Sequence, residues 1–209
     1  MIYAVVNTKG GVGKTTTAVH LATMLARTSD TLLIDGDQQS SAASWAAWRR
    51  DNLSHGASPT TTCLAGKAIL LEGKQISAKY EHVVVDAGGR DSIGLRSALL
   101  LAQMAIVPIG ASDLDAAAMT DLLEVVEMSS DYNPGLDVRI LLSRVDVRTK
   151  DIAEMLKFLN EQKLAVLQTK ICERVAFRRA IGIGMIVSEY DKDQSATDEM
   201  ESFFNEVKT

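Results

Sequence analysis

Between Thr8 and Thr16 the chain reads TKGGVGKTT, three glycines and two lysines in nine residues. Gly10, Gly11 and Gly13 free the backbone so that successive N–H groups, that of Val12 among them, can turn inward as a nest for an anion. Lys14 can reach the β- and γ-phosphates, Thr15 carries a hydroxyl suited to Mg²⁺, and a helix beginning near Thr16 adds the positive end of its dipole. The chemistry is that of a Mg²⁺-bound nucleoside polyphosphate. A dinucleotide fingerprint fits worse, because G-x-G-x-x-G read from Gly11 requires glycine where Thr16 stands.

Carboxylates follow at strand ends. Leu32-Leu33-Ile34 leads into Asp35 and Asp37, and Val83-Val84-Val85 leads into Asp86. At the C-terminal edge of a parallel strand such groups face the ligand crevice, where they orient metal-bound or attacking water. Asp86 suits Mg²⁺ held through water, while Asp35 and Asp37 have the bland alternative of capping the next helix. The turn Ala87-Gly88-Gly89-Arg90-Asp91 is free to move with the γ-phosphate, and Arg90 and Asp91 are either a surface pair or part of that switch. Asp113 and Asp115 suit the first turn of a helix, whose dipole they complement. Near the end, Arg174 and Arg178 are spaced to share a helical face with Arg179 beside them, a cluster able to hold DNA phosphates without reading sequence or else to pair with the acidic tail.

The elements that must position these groups alternate. Strand-like apolar runs fall at Ile2–Asn7, Thr31–Asp35, His82–Asp86, Met104–Ile109 and Val138–Ser143. Helical periods fall at Lys14–Arg27, Ser40–Arg50, Ser92–Leu101, Leu114–Ser129 and Lys150–Gln162. Strands apolar nearly throughout suit a sheet covered on both sides. The expected fold is α/β, a doubly wound, mostly parallel sheet with helices on both faces, in one domain over residues 1–209. Pro59 and Pro134 sit in turn-like stretches inside that domain.

A formal charge of −5 excludes a histone-like protein, so any polyanion contact needs a local patch. Residues 139–179 supply the candidate, with ten basic and five acidic side chains, whereas residues 187–209 carry two basic and seven acidic. Cys63 and Cys172 form no C-x-x-C and join no Cys/His cluster, which argues against a disulfide framework or a zinc site. The spacing of His20, His55 and His82 suggests no metal or proton shuttle. No signal peptide and no span of about eighteen apolar residues is evident, so a cytoplasmic protein is expected.

The loop lacks the first glycine of G-x-x-x-x-G-K-[ST], having Thr8 there and Lys9 next. KGGVGKTT resembles the deviant Walker A motif of the ParA/MinD family of signature-lysine ATPases. The resemblance covers nearly the whole chain and is nearest to the small ParA proteins of plasmid partition, which have no N-terminal DNA-reading domain. It implies that Lys9 crosses a dimer interface to the partner's nucleotide, that Asp37 positions the hydrolytic water and that Asp35 supports the metal shell. Gln38 stands where the family's D-x-D-P-Q has proline, and Ala87–Arg90 depart from the usual D-x-P-P. Ile106–Asp115 resembles the family's P-x-x-P/S-x-x-D segment, and Arg144 matches a position beside the adenine base. Ile171–Val187 resembles I-x-x-R-x-x-[FY]-x-x-A-x-x-x-G-x-x-[VI].

These likenesses imply a DNA-segregation ATPase with ATP and Mg²⁺ as cofactors. ATP would assemble a homodimer that binds nonspecific DNA on the nucleoid, and a centromere-binding adaptor of the ParB/ParG kind would stimulate hydrolysis. The alternative is a related ATPase that positions another cytosolic or membrane-associated cargo. No stable membrane anchor is expected, since Ser195–Thr209 carries four acids and one lysine, and Phe203, Phe204 and Val207 suit packing onto the domain. A shared iron–sulfur cluster, as in the nitrogenase iron protein, is poorly served by the placement of the two cysteines.

Overall fold

A computed structural model describes residues 1–53, 56–88, 92–190 and 192–208. Strands and helices alternate as β1 (Ile2–Asn7), α1 (Lys14–Leu25), β2 (Thr31–Asp35), α2 (Ser41–Asn52), β3 (Thr60–Cys63), α3 (Ala68–Ser77), β4 (His82–Gly88), α4 (Ser92–Leu101) and β5 (Met104–Ile109). There follow α5 (Asp113–Ser130), β6 (Asp137–Val145), α6 (Asp151–Glu161), β7 (Val166–Cys172), α7 (Val175–Ile181), α8 (Val187–Tyr190) and α9 (Gln194–Val207). The strands form one sheet in the order β3-β2-β4-β1-β5-β6-β7. Every pairing is parallel. The doubly wound α/β expectation holds, with no antiparallel pair among the described residues.

Why the central strands are apolar throughout follows from the two cores. Tyr3 and Val5 point to one face, where they meet Trp45 of α2, Phe177 of α7 and Phe203 of α9. Ala4 and Val6 point to the other, against Ile69 of α3, Leu95 and Leu99 of α4 and Leu159 of α6. Side chains alternate across a strand, so a sheet with helices on both sides leaves no position for a polar one. The phosphate loop leaves β1 at the middle of this sheet, which puts it at the C-terminal edge where open α/β sheets bind ligands.

Four elements lay outside the sequence expectations: β3, α3, β7 and the short α8. Both missed strands are edges, and their sequences TTTC and VLQTKIC lack the continuous apolar run. β7 is covered by α9 instead. The Glu206 carboxylate accepts from the backbone N–H groups of Gln168 at 2.6 Å and Thr169 at 3.0 Å, and Glu199 accepts from that of Cys172 at 2.9 Å. An edge strand's free donors are thereby occupied. Phe203 and Val207 of α9 are fully buried against the sheet, as the sequence led us to expect of that helix.

Candidate functional site

The phosphate loop turns through left-handed backbone at Gly11, φ +75°, and Gly13, φ +97°. Gly13 also meets a close neighbour, for a Cβ there would lie 2.7 Å from Ser143 Oγ. It caps α1 without any side-chain acceptor, which leaves the first N–H groups of that helix for an anion. Lys14 is 7% exposed, and its ammonium donates to the Lys9 carbonyl at 2.9 Å. Burial lowers its pKa, with Asp86 and then Asp37 pulling the other way. Thr15 and Thr16 line the same cleft, whose volume is about 810 Å³. That size is ordinary for a small-molecule site, roughly 300–1,000 Å³.

The acids take different parts. Asp35 and Asp86 are register partners on β2 and β4, so both arrive at the same edge. Both oxygens of Asp35 are committed: Oδ2 accepts from Ala43 N at 2.7 Å and Oδ1 from Asp37 N at 3.1 Å, which ties the start of α2 to β2. Asp86 is the reverse case, because both of its carboxylate oxygens are buried and complete no hydrogen bond. Burial raises its pKa to about 7, although the Thr15 hydroxyl and Lys14 lie near enough to pull it down. An unpartnered carboxylate beside a threonine hydroxyl fits a hydrated divalent cation, whose charge would offset the desolvation. Asp86 and Thr15 would hold Mg²⁺, which would supply positive charge beside the phosphates, and Asp35 would act behind them. Asp37 lines the cleft, and its Oδ1 accepts from Gln39 N at 2.9 Å.

Gly88 closes the floor. At φ +149° its hypothetical Cβ would stand 2.5 Å from the Asn7 carbonyl and 2.8 Å from Lys14 Cε, so only glycine lets β4 pass this close to the lysine. The rest of that turn, Gly89, Arg90 and Asp91, lies outside the described residues, as does His55.

Beyond the loop the cleft is lined by Ser143, Arg144, Ile171, Glu173, Phe177 and Met200 among others. Arg144 donates to the Gly11 carbonyl and pairs with Glu173 at 2.5 Å. The arginine cluster is not one helical face, which corrects the expectation from spacing. Arg174 precedes α7 with extended backbone, φ −133°, and its guanidinium pairs with Glu199 at 2.7 Å and with Asp193 at 3.7 Å. The acidic tail therefore neutralises it. Arg178 lines the cleft, and Arg179 is exposed on α7. The two thiols stand on opposite edges of the sheet, Cys63 ending β3 and Cys172 ending β7.

Lys9 sits at the loop but does not line its cleft. Its backbone N–H is held by Asn7 Oδ1 at 2.8 Å, and its ammonium reaches Asp115 Oδ1 at 2.6 Å. Asp115 is in the first turn of α5, as expected; the side chain of Asp113 lies outside the described residues. Sequence reasoning missed Asn7, Ser143 and Glu173, each of which acts through a neighbour that only the fold supplies. His20 is likewise buried in a structural place, Nδ1 on the Thr16 carbonyl at 2.7 Å and Nε2 accepting from Val187 N at 3.0 Å.

A glycine-rich loop between the central strand and a helix, with Lys14, Thr15 and an unpaired strand-end carboxylate converging on it, defines a nucleotide-binding domain of the phosphate-loop class. The family model for the CobQ/CobB/MinD/ParA nucleotide binding domain matches residues 3–187, and the chain belongs to this family. Among curated relatives it is 32% identical over 191 residues to the maintenance of carboxysome distribution protein A of Gloeobacter kilaueensis, covering 90% of this chain and 84% of that one. Among solved structures, apo McdA of Cyanthece superposes with a TM-score of 0.79 at 18% identity over 99% of both chains. MinD of Pyrococcus horikoshii, in complex with Mg-ADP, does so with a TM-score of 0.73 at 18% identity over 100% of this chain and 96% of that one. The nucleotide in that complex is ADP, of the same kind as the ATP expected from the sequence, and it is held with the expected Mg²⁺.

Proposed function

We propose that the protein is an ATP-driven positioning ATPase: Mg-ATP assembles a homodimer through Lys9, the dimer binds nonspecific DNA, and a partner protein stimulates hydrolysis and release. The observation that carries this reading is the course of Lys9. Its ammonium turns away from its own chain's cleft to Asp115, a partly buried pair that a second copy's nucleotide would have to replace. ATP would then act by differential affinity, since a γ-phosphate can be shared only between two copies. Asp37 is the candidate to orient the attacking water, and Arg178 and Arg179 are the candidates for DNA phosphates, with Arg174 engaged elsewhere. Arg144, matched by resemblance to a base-side position, lines the same cleft.

The cargo we favour is a cytosolic body other than a plasmid, because the relative at 32% identity is named for carboxysome distribution. Plasmid partition with a centromere-binding adaptor was the first expectation from the sequence, and it uses the same residues.

The test is oligomeric state and duplex binding at fixed salt with ADP, with ATP, and with ATP for Lys9→Ala and for the Arg178→Ala/Arg179→Ala double variant. Dimerisation and DNA binding should appear with ATP alone. Lys9→Ala should lose both, whereas the double variant should keep the dimer and lose DNA. ATP that changes neither property overturns the reading.

A further inference from the structure

Arg144 occupies a place that a base contact would not require. Its backbone takes φ +56°, a left-handed conformation that residues other than glycine rarely adopt. Such outliers persist only where the surroundings hold them, and here three donor groups of one guanidinium are engaged. Nε and Nη2 donate to the Glu173 carboxylate at 2.5 and 3.3 Å, and Nη1 donates to the carbonyl of Gly11 at the crown of the phosphate loop. The loop is close beneath, for a Cβ at Gly11 would lie 3.5 Å from Nη1.

In a planar trans peptide the carbonyl of one residue and the N–H of the next point in opposite directions. A donor that holds the Gly11 carbonyl therefore also fixes the direction of the Val12 N–H, on the opposite side of the peptide, as a preformed anion nest requires. Gly11 is left-handed and carries no Cβ to hold its peptide in one orientation, so a restraint on its carbonyl matters to the nest. We propose that Arg144, itself oriented by Glu173, presets the Gly11–Val12 peptide for phosphate. It is a positioning residue of the nucleotide site, acting through the loop and not on the base. The proposal rests on the nucleotide reading above and assigns this pair its part in it. Arginine is needed because its planar fork serves Glu173 and Gly11 together, which the single ammonium of lysine cannot do.

Calorimetric titration of the full chain with inorganic pyrophosphate, ADP and GDP in Mg²⁺ separates the possibilities. Arg144→Ala should weaken pyrophosphate and ADP by the same factor, about tenfold, and leave the ADP:GDP ratio unchanged. Arg144→Lys should not restore affinity, and Glu173→Ala should show the same pattern at smaller size. These two variants carry the comparison if Arg144→Ala does not fold. A shifted ADP:GDP ratio with pyrophosphate unaffected would make Arg144 a base contact and overturn the proposal. So would unchanged affinities with only a lower melting temperature. A wild-type protein that binds neither pyrophosphate nor ADP removes the nucleotide reading itself, an outcome distinct from both.

Discussion

Lys9 and Asp115, separated by most of the sheet in sequence, form an ion pair of 2.6 Å in which the ammonium that would serve a partner's nucleotide is held by its own chain. The lysine side chain is 33% exposed and the aspartate 10%. Asp115 also accepts from the Ser112 backbone N–H at 3.2 Å, one arm of the capping box that opens α5, and from the Ser112 hydroxyl at 2.5 Å. Burial works to raise Asp115, and Lys9 and Ser112 more than offset it, so its carboxyl titrates below the ordinary value. Dimer formation through Lys9 thus has to break a local pair first.

Asp115→Asn should therefore strengthen the ATP-dependent dimer several-fold, because Lys9 is released while the amide keeps much of the cap. Ser112→Ala is the control. It weakens the start of α5, by about 1 kcal/mol, and takes a hydrogen bond from Asp115 Oδ2 while leaving Oδ1, the oxygen paired with Lys9, in place. Sedimentation of both variants in Mg-ATP distinguishes them, and an Asp115→Asn dimer no tighter than wild type would show that the pair is no brake.

Asp86 carries a stability cost that a bound cation would offset. Its pKa is raised from 3.8 to about 7, so the folded state binds this proton more tightly than the unfolded one. The sign follows: stability falls as pH rises above 3.8 and has lost the whole contribution once pH passes about 7. Asp86→Asn removes the penalty, and the nucleotide-free variant should gain up to about 4 kcal/mol at pH 8, with little gain at pH 4. It should also lose Mg²⁺-dependent nucleotide binding. Denaturant melts at the two pH values check the first half, and a variant no more stable at pH 8 would mean that the buried carboxylate is relieved in some other way.

What the sequence disclosed and what it hid have one physical explanation. β1, β2 and β5 were legible to the residue because central parallel strands are buried on both faces and read as apolar runs. β3 and β7 were not, because edge strands meet water and carry Thr, Gln and Lys. The phosphate loop was legible since its chemistry is local, a strand, three glycines and a helix in one stretch. Arg174 misled because helical spacing says nothing of where a helix begins, and α7 starts one residue later, at Val175. The pairings of Glu173 and Asp115 were beyond reach for another reason: their partners, Arg144 and Lys9, are brought to them only by the sheet.

His20 sets an acid limit. It is fully buried, accepts at Nε2 from Val187 N and so carries its proton at Nδ1, toward the Thr16 carbonyl. Burial lowers its pKa from 6.5 to about 4. The unfolded chain therefore takes up a proton that the folded chain refuses, and stability is lost as pH falls from 6.5 to about 4. The loss is about 3 kcal/mol in that window. His20→Gln should be less stable than wild type at pH 7.5 yet lose less between pH 6.5 and 4, a difference read from urea midpoints; parallel slopes would mean that other groups set the acid limit.

Glu206 makes the last case, since it works at the rim of the sheet and far from the nucleotide. Its carboxylate spans two adjacent backbone donors of β7, Gln168 N at 2.6 Å and Thr169 N at 3.0 Å. Burial raises its pKa, and these N–H groups more than offset that, so the group titrates low and is charged at neutral pH. Two charge-assisted bonds at an exposed site make Glu206→Ala destabilising by about 1–2 kcal/mol. The larger consequence lies in what the carboxylate covers. With it removed, β7 presents free donors at a sheet edge, the feature through which β-proteins pair with further chains. Glu206→Ala should therefore associate with rising protein concentration in the absence of nucleotide, whereas Glu206→Gln, which can still accept from one donor, should stay closer to wild type. Light scattering across a concentration series decides it: an alanine variant that melts earlier but stays monodisperse would show that α9 shields the edge by bulk alone.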